Sequence, residues 1–83
     1  MNTMFLLLAE FESATIKLSV VAERFMGMRP ATAEQKASEG RLPIPTFRVG
    51  DTQKSPRLVH VQDLANYIDI QRAEAQRELE RCK

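Results

Sequence analysis

The side chains best suited to chemistry in this sequence are a hydroxyl, an amide and an amine that follow Pro30 at helical spacing. They are Thr32, Gln35 and Lys36. A glutamine can bind adenine through two hydrogen bonds, a lysine reaches guanine or a phosphate, and a threonine contacts a thymine methyl group or a phosphate. On the exposed face of a helix these residues would read DNA. The alternative is an ordinary polar surface helix.

A second group of polar residues surrounds a turn in the stretch GRLPIPTFRVGDTQKSPRLVHV, residues 40–61. Four of its residues are basic and one is acidic. A basic hairpin loop beside a DNA-reading helix typically lies along the phosphates or enters the minor groove. The alternative is a solvated loop. Three residues of this loop are candidate DNA contacts: Gln53, Lys54 and Arg57.

Three further arginines are candidate contacts to the DNA backbone. Arg29 precedes the helix that begins near Pro30, where it is placed to bind a phosphate at the helix N-terminus. Arg41 and Arg48 flank the first strand of the 40–61 stretch. For Arg48, an ion pair with a carboxylate is an equally good interpretation.

Residues suited to catalysis or metal binding are sparse. His60 is the only histidine, Cys82 is the only cysteine, and no nucleophile–base pair or carboxylate dyad stands out. The string GDTQKS lacks the second glycine and the Gly-Lys-Ser/Thr order of a phosphate-binding loop. We therefore expect no enzyme activity, metal, cofactor or small-molecule substrate. The lone cysteine also fits a reducing cytosol.

Charge is unevenly distributed along the chain. Its 83 residues suffice for one small domain, and the net charge is only +1. Residues 1–16 carry a net charge of −2, residues 17–58 of +4 and residues 59–83 of −1. A basic middle between acidic ends is a local patch that attracts a polyanion. An oligomer would multiply this patch and offset the low total charge.

The apolar start MNTMFLLLAEF predicts a short helix capped by Asn2 or Thr3. Leu, Met, Ala and Glu favour a helix, although the unbroken apolar run leaves a strand open. The run is too short for a signal peptide, lacks the preceding basic residues, and cannot span a bilayer. It either covers the core or forms an oligomer interface, and we expect the interface.

Two short helices joined by a tight turn are predicted next. We expect Ser19 to cap the first, SVVAERFMG, and Gly27 to end it. Its buried face would hold Val20, Val21 and Phe25.

The second helix, PATAEQKASE, begins at Pro30 and is closed by Gly40. Ala33 and Ala37 would let it pack closely on the first helix. This pair has the helix-turn-helix pattern.

The rest of the chain predicts a hairpin and a long helix. Residues 47–49 and 58–61 alternate between apolar and polar and would pair around a loop of six to eight residues. Asp63 is expected to open the final helix, with an apolar stripe of Leu64, Tyr67 and Ile68. Beyond residue 70 the helix loses most apolar residues, so it is either a solvated tail or contacts a partner through Leu79.

This order of elements resembles the winged helix-turn-helix of the MerR and excisionase group. The residues that carry the resemblance are VAERF at 21–25, GRLP at 40–43, FRVG at 47–50 and DLANYI at 63–68. The resemblance covers residues 16–70. It implies a mainly α fold with a small β-hairpin, to which an N-terminal and a C-terminal helix are added.

A closer resemblance covers nearly the whole chain. The start MNTMFLLLAEF, the segment GRLPIPTFRV, the QKS loop at 53–55 and LVHVQDLANYID together resemble the pyocin activator protein family, PrtN. The family is associated with transcriptional activation of phage-tail-like bacteriocin and prophage genes. The resemblance therefore implies a bacterial, cytoplasmic, nucleoid-associated protein that binds a promoter element in double-stranded DNA and contacts RNA polymerase.

We thus expect one DNA-binding domain over residues 1–83, with an apolar element at 1–14, a winged helix-turn-helix core at 16–70 and a helical tail at 71–83. A homo-oligomer without a membrane partner is expected. Two alternatives stay open. One is an excisionase-like architectural protein that bends DNA, and the other is a protein-interaction module that does not bind DNA.

Overall fold

The computed structural model describes residues 2–50 and 54–82. Within them the chain is mainly helical, with two short paired strands. Its elements are α1 (Thr3–Phe11), β1 (Thr15–Lys17), α2 (Leu18–Val21) continued by a π-helical turn (Ala22–Met26), α3 (Pro30–Ser38), β2 (Leu58–His60) and α4 (Val61–Arg81). The helix-turn-helix consists of α2, its π-helical turn and α3. The predicted winged helix-turn-helix with added terminal helices is confirmed.

The apolar start of the chain forms helix α1, as predicted. Asn2 caps it, since the Phe5 amide donates to Asn2 Oδ1 at 2.9 Å. One side of α1 packs on α4, where Leu7 is buried. The Thr3 hydroxyl donates to Asp69 Oδ1 at 2.6 Å and fixes the first turn of α1 against the middle of α4.

Arg24 joins α1 to the helix-turn-helix. Its guanidinium lies 5.0 Å from the ring centroid of Phe11 and 5.5 Å from that of Phe25, within the range of a cation–π contact. The same guanidinium pairs with Glu10 of α1. The added N-terminal helix is therefore attached to both the π-helical turn and α4.

The first helix of the helix-turn-helix differs from prediction at its start. It begins at Leu18, and Lys17 is the capping residue without a side-chain hydrogen bond. The predicted Ser19 cap is wrong because β1 runs directly into α2, where the Leu18 amide donates to the Arg57 carbonyl at 2.9 Å. The buried face shifts accordingly. Val20 is 39% exposed, whereas Leu18 and Val21 are buried.

The turn and α3 follow the prediction closely. Gly27 ends the π-helical turn in the left-handed region, at φ 64°, a conformation that glycine adopts without steric cost. Pro30 occupies the first turn of α3. Ala33 is fully buried and Ala37 packs against the core, so α3 lies close to α2. After Glu39 the chain reverses at Gly40, and the Arg41 amide donates to the Lys36 carbonyl at 2.9 Å.

Strand pairing is the main departure from the predicted hairpin. Residues 58–60 form β2, but their regular antiparallel partner is β1, with Ile16 opposite Val59. The 47–49 segment contributes one bridge, in which Phe47 and Leu58 exchange both backbone hydrogen bonds at 3.0 and 2.7 Å. Prolines at 45 and 56 lack amide protons, which restricts further pairing on either side.

Helix α4 begins two residues before the predicted Asp63. His60 ends β2 and caps the helix, because its Nδ1 accepts a hydrogen bond from the Gln62 amide at 3.0 Å. Asp63 lies in the first turn, where a carboxylate favours the helix dipole. Leu64 is fully buried. The helix continues without a break through the exposed tail to Arg81.

Candidate nucleic-acid interface

The outer face of α3 opposes the face that packs on the core. At 100° per residue, Ala33 and Ala37 lie on the inner face and Gln35 lies opposite them. Ala31, Thr32, Gln35 and Ser38 are exposed. Ala31 and Ser38 are small, and the Ser38 hydroxyl donates to the Gln35 carbonyl at 2.8 Å. The face therefore presents the amide of Gln35 among short side chains.

Two basic residues lie at the edges of this face. Lys36 flanks the outer face on one side and is partly exposed. Arg29 is exposed and is the residue that precedes α3. Within residues 2–50 and 54–82, neither side chain has a carboxylate within 4.0 Å. Their charges are directed to the solvent around α3.

The opposite edge of α3 carries Glu34, which holds the base of the wing. We define the wing as residues 47–58, closed by the bridge between Phe47 and Leu58. Arg57 Nε donates to Glu34 Oε2 at 2.9 Å, and Arg48 Nη2 lies 3.6 Å from the same oxygen. The wing is thus attached directly beside the outer face of α3.

Backbone and side-chain contacts also close the described part of the wing. Arg48 Nε donates to the Ser55 carbonyl at 3.0 Å. Ser55 packs so closely on Gly50 that any side chain at position 50 would collide with the Ser55 hydroxyl. Lys54, next to Ser55, is exposed. Because Arg48 bonds both Ser55 and Glu34, it brings the loop at Lys54 near α3.

The predicted wing arginines are not free at the tip of the loop. Arg57 lies at the base, where its side chain is 18% exposed and its Nη1 also donates to Thr46 Oγ1 at 3.3 Å. The Arg48 side chain is 27% exposed. Two interpretations of Arg48 were open, a DNA contact and an ion pair with a carboxylate. The structure has the ion pair, with Glu34.

The remaining predicted contacts fall in different places. Arg41 is exposed and lies just past α3, where its guanidinium pairs with Glu39 at 3.1 Å. Gln53 lies outside the described residues. Thr32, Gln35 and Lys36 share one helix as predicted. The contact of Glu34 with the wing was not predicted from the sequence. The only indication was the helical spacing, which places Glu34 on the side of α3 opposite Lys36.

Two further observations concern metal binding and membrane crossing. Across residues 2–50 and 54–82, no three residues among His, Cys, Asp and Glu cluster closely enough to hold a metal ion. In the same residues no helix has the length and apolarity needed to cross a membrane.

Comparison with protein families identifies the group to which the chain is related. The family model of pyocin activator protein PrtN matches residues 3–75. The chain belongs to the PrtN family. No curated protein and no solved structure matches it.

The PrtN match begins with α1 and extends through the wing into the tail of α4. The N-terminal helix is therefore part of the family's own pattern rather than an addition to a shorter domain. PrtN is described as an activator protein, which places the chain in a regulatory family instead of an enzyme class. The PrtN family thus supports a role in activating pyocin genes.

Proposed function

We propose that this PrtN-family protein is a sequence-specific DNA-binding activator of phage-tail-like bacteriocin or prophage genes. Helix α3 enters the major groove of a promoter element, and the wing lies on the backbone or in the minor groove. The bound protein then contacts RNA polymerase. The observation that supports this most strongly is the exposed face of α3, with Gln35 at its centre and the wing attached at its edge.

The dimensions of α3 suit a major groove. An α-helix with its side chains is about 10–12 Å across, and the groove is about 12 Å wide. Short side chains at Ala31 and Ser38 leave room for the backbone of α3 to approach the base edges. Gln35 is then the side chain best placed to bind a base, and Thr32 lies one turn earlier on the same side.

Charge around α3 supports contacts to phosphates. Arg29 and Lys36 lie beside the helix and Lys54 lies on the wing. Arg41 adds a further exposed cation, partly neutralised by Glu39. These four residues suffice to position the helix on DNA without carrying sequence information themselves.

A salt titration with a duplex of random sequence tests the proposal. Four phosphate contacts predict that the logarithm of the binding constant falls against the logarithm of salt concentration with a slope of about −3.6. Fluorescence anisotropy of a labelled duplex measures the slope. Failure to bind any duplex at about 50 mM salt would favour a protein-interaction module instead.

We also propose that the protein forms a homo-oligomer through α1. Phe5 is 58% exposed and Leu6 is 55% exposed, and Ala9 lies with them on the side of α1 away from α4. Leu79 on the α4 tail is 63% exposed. Apolar side chains grouped on the exposed side of a helix are a common basis for self-association, and an oligomer would bring several wings to one DNA site.

The substitution Phe5→Asp is expected to dissociate the oligomer into monomers, because it places a charge in the apolar contact. Sedimentation velocity over a range of protein concentrations measures the change. Val49→Asp is the matched control, since Val49 is an exposed apolar residue on the wing and its substitution leaves the oligomer intact. A wild-type protein that sediments as a monomer at every concentration would contradict the proposal.

A further inference from the structure

Glu34 is the meeting point of two arginines from the wing. Its Oε2 accepts from Arg57 at 2.9 Å and lies 3.6 Å from Arg48 Nη2. Each guanidinium has a further partner, Thr46 Oγ1 for Arg57 and the Ser55 carbonyl for Arg48. One carboxylate on α3 therefore organises both segments of the wing base.

The same contacts reduce the charge that the wing base offers to DNA. Both guanidiniums are largely shielded from solvent, while the Glu34 side chain remains 44% exposed. Donors that point at Glu34, Thr46 or Ser55 are not directed at a phosphate. In addition, the Glu34 carboxylate neutralises part of the positive charge of the two guanidiniums, so this cluster attracts an approaching phosphate less than two free arginines would.

Specificity is a difference between two affinities. Binding to non-cognate DNA is driven almost entirely by phosphate contacts, whereas binding to a cognate site also uses the base contacts of α3. A residue that removes cations from the interface therefore weakens binding to cognate and non-cognate DNA alike, and the difference between them still comes from the base contacts of α3.

We propose that Glu34 is a positioning residue that limits the sequence-independent affinity of this protein for DNA. It fixes the wing beside α3, and it withholds Arg48 and Arg57 from the phosphates of DNA. This inference rests on the proposed DNA-binding function. Arg48 and Arg57 are two of the basic residues nearest the interface, and they then act inside the protein and not on the DNA.

The substitution Glu34→Gln tests the inference, because it keeps the size of the side chain and removes its charge. The affinity for a random-sequence duplex is expected to rise at least about tenfold at low salt, and the salt slope to steepen by about 1 to 2 as Arg48 alone, or Arg48 together with Arg57, reaches a phosphate. Glu80→Gln on the exposed α4 tail changes the net charge equally and leaves the slope near that of the wild type.

A second variant distinguishes the release of the Arg48 charge from a misfolded Glu34 variant. Arg48→Gln in the wild-type background leaves the salt slope unchanged, because Arg48 does not reach a phosphate there. In the Glu34→Gln background the same substitution reduces the steepened slope by about 1. Thermal unfolding of each variant identifies any that do not fold.

These experiments distinguish a failure of the Glu34 proposal from a failure of the proposed DNA binding. If the wild type binds no duplex, DNA binding itself is wrong. If the wild type binds and Glu34→Gln matches Glu80→Gln, Glu34 withholds no charge and the inference is overturned. A slope that falls with Arg48→Gln alone overturns it as well, even if the Glu34 variant does not fold.

Discussion

We expect the double substitution Lys36→Glu and Lys54→Glu to weaken binding to duplex DNA about 100-fold at low salt. One charge-assisted contact to phosphate contributes about 1.4 kcal/mol, a factor of ten in affinity, and the double variant removes two such contacts. Lys36 lies beside the outer face of α3 on one side, and Lys54 lies on the wing at the other side of that face. Anisotropy titration against one labelled duplex measures the loss.

The matched control for this prediction is Arg72→Glu with Arg77→Glu. Both residues are exposed on the α4 tail, and the pair changes the net charge of the protein by the same amount. At the same salt its loss of affinity for the duplex is expected to be much smaller, because neither arginine belongs to the α3 and wing surface and only the long-range effect of net charge is removed. Equal losses in the two variants would mean that overall charge, not the α3 and wing surface, binds DNA.

The second large effect is expected from Ala33→Leu, which fills the contact between α2 and α3. Ala33 is fully buried, so three added carbon atoms must displace the neighbouring helix. Overpacking of this kind costs about 1–3 kcal/mol, a substantial part of the stability of a small domain. Chemical denaturation followed by circular dichroism measures the loss.

Ala31→Leu is the control within the same helix. Ala31 lies on the exposed face of α3, so a leucine there is expected to change stability by less than about 0.5 kcal/mol. The same leucine obstructs the small-residue face that approaches DNA, and affinity for the duplex should fall. A stable Ala33→Leu protein, or a destabilised Ala31→Leu protein, would contradict the assignment of inner and outer faces.

The helices of this protein could be predicted because their signals are local. Asn2 caps α1 through a bond to a residue three positions away, and Pro30 and Gly40 mark the ends of α3 in the sequence itself. The alanines at 33 and 37 are one helical turn apart, so their shared inner face follows from helix geometry.

The sheet and the start of α2 could not be predicted in the same way. Residues 15–17 pair with residues 58–60, and nothing in either short segment specifies a partner so distant in the chain. The predicted Ser19 cap failed for the same reason, since the Leu18 amide bonds to the carbonyl of Arg57. In both places a hydrogen bond from a distant segment of the backbone overrides the local preference of the sequence.

The candidate site was predicted in part. Residue types identified the exposed face of α3, because Gln35 and Lys36 differ plainly from the alanines behind them. The wing base was not predicted, since Glu34 and Arg57 are far apart in sequence and meet only in the folded chain. Basic residues near a turn indicate a wing, but only the fold decides which of them meet a carboxylate.

Selection of bound fragments from a sheared bacterial genome tests the central claim, sequence-specific binding by α3 and the wing, most directly. The fragments retained by the purified protein at moderate salt are sequenced and searched for a shared motif. We predict one recurring motif near promoters, repeated as half-sites at a fixed spacing if the protein binds as an oligomer. Capture without any motif, lost steadily as salt rises, would contradict the claim and leave only charge-driven binding.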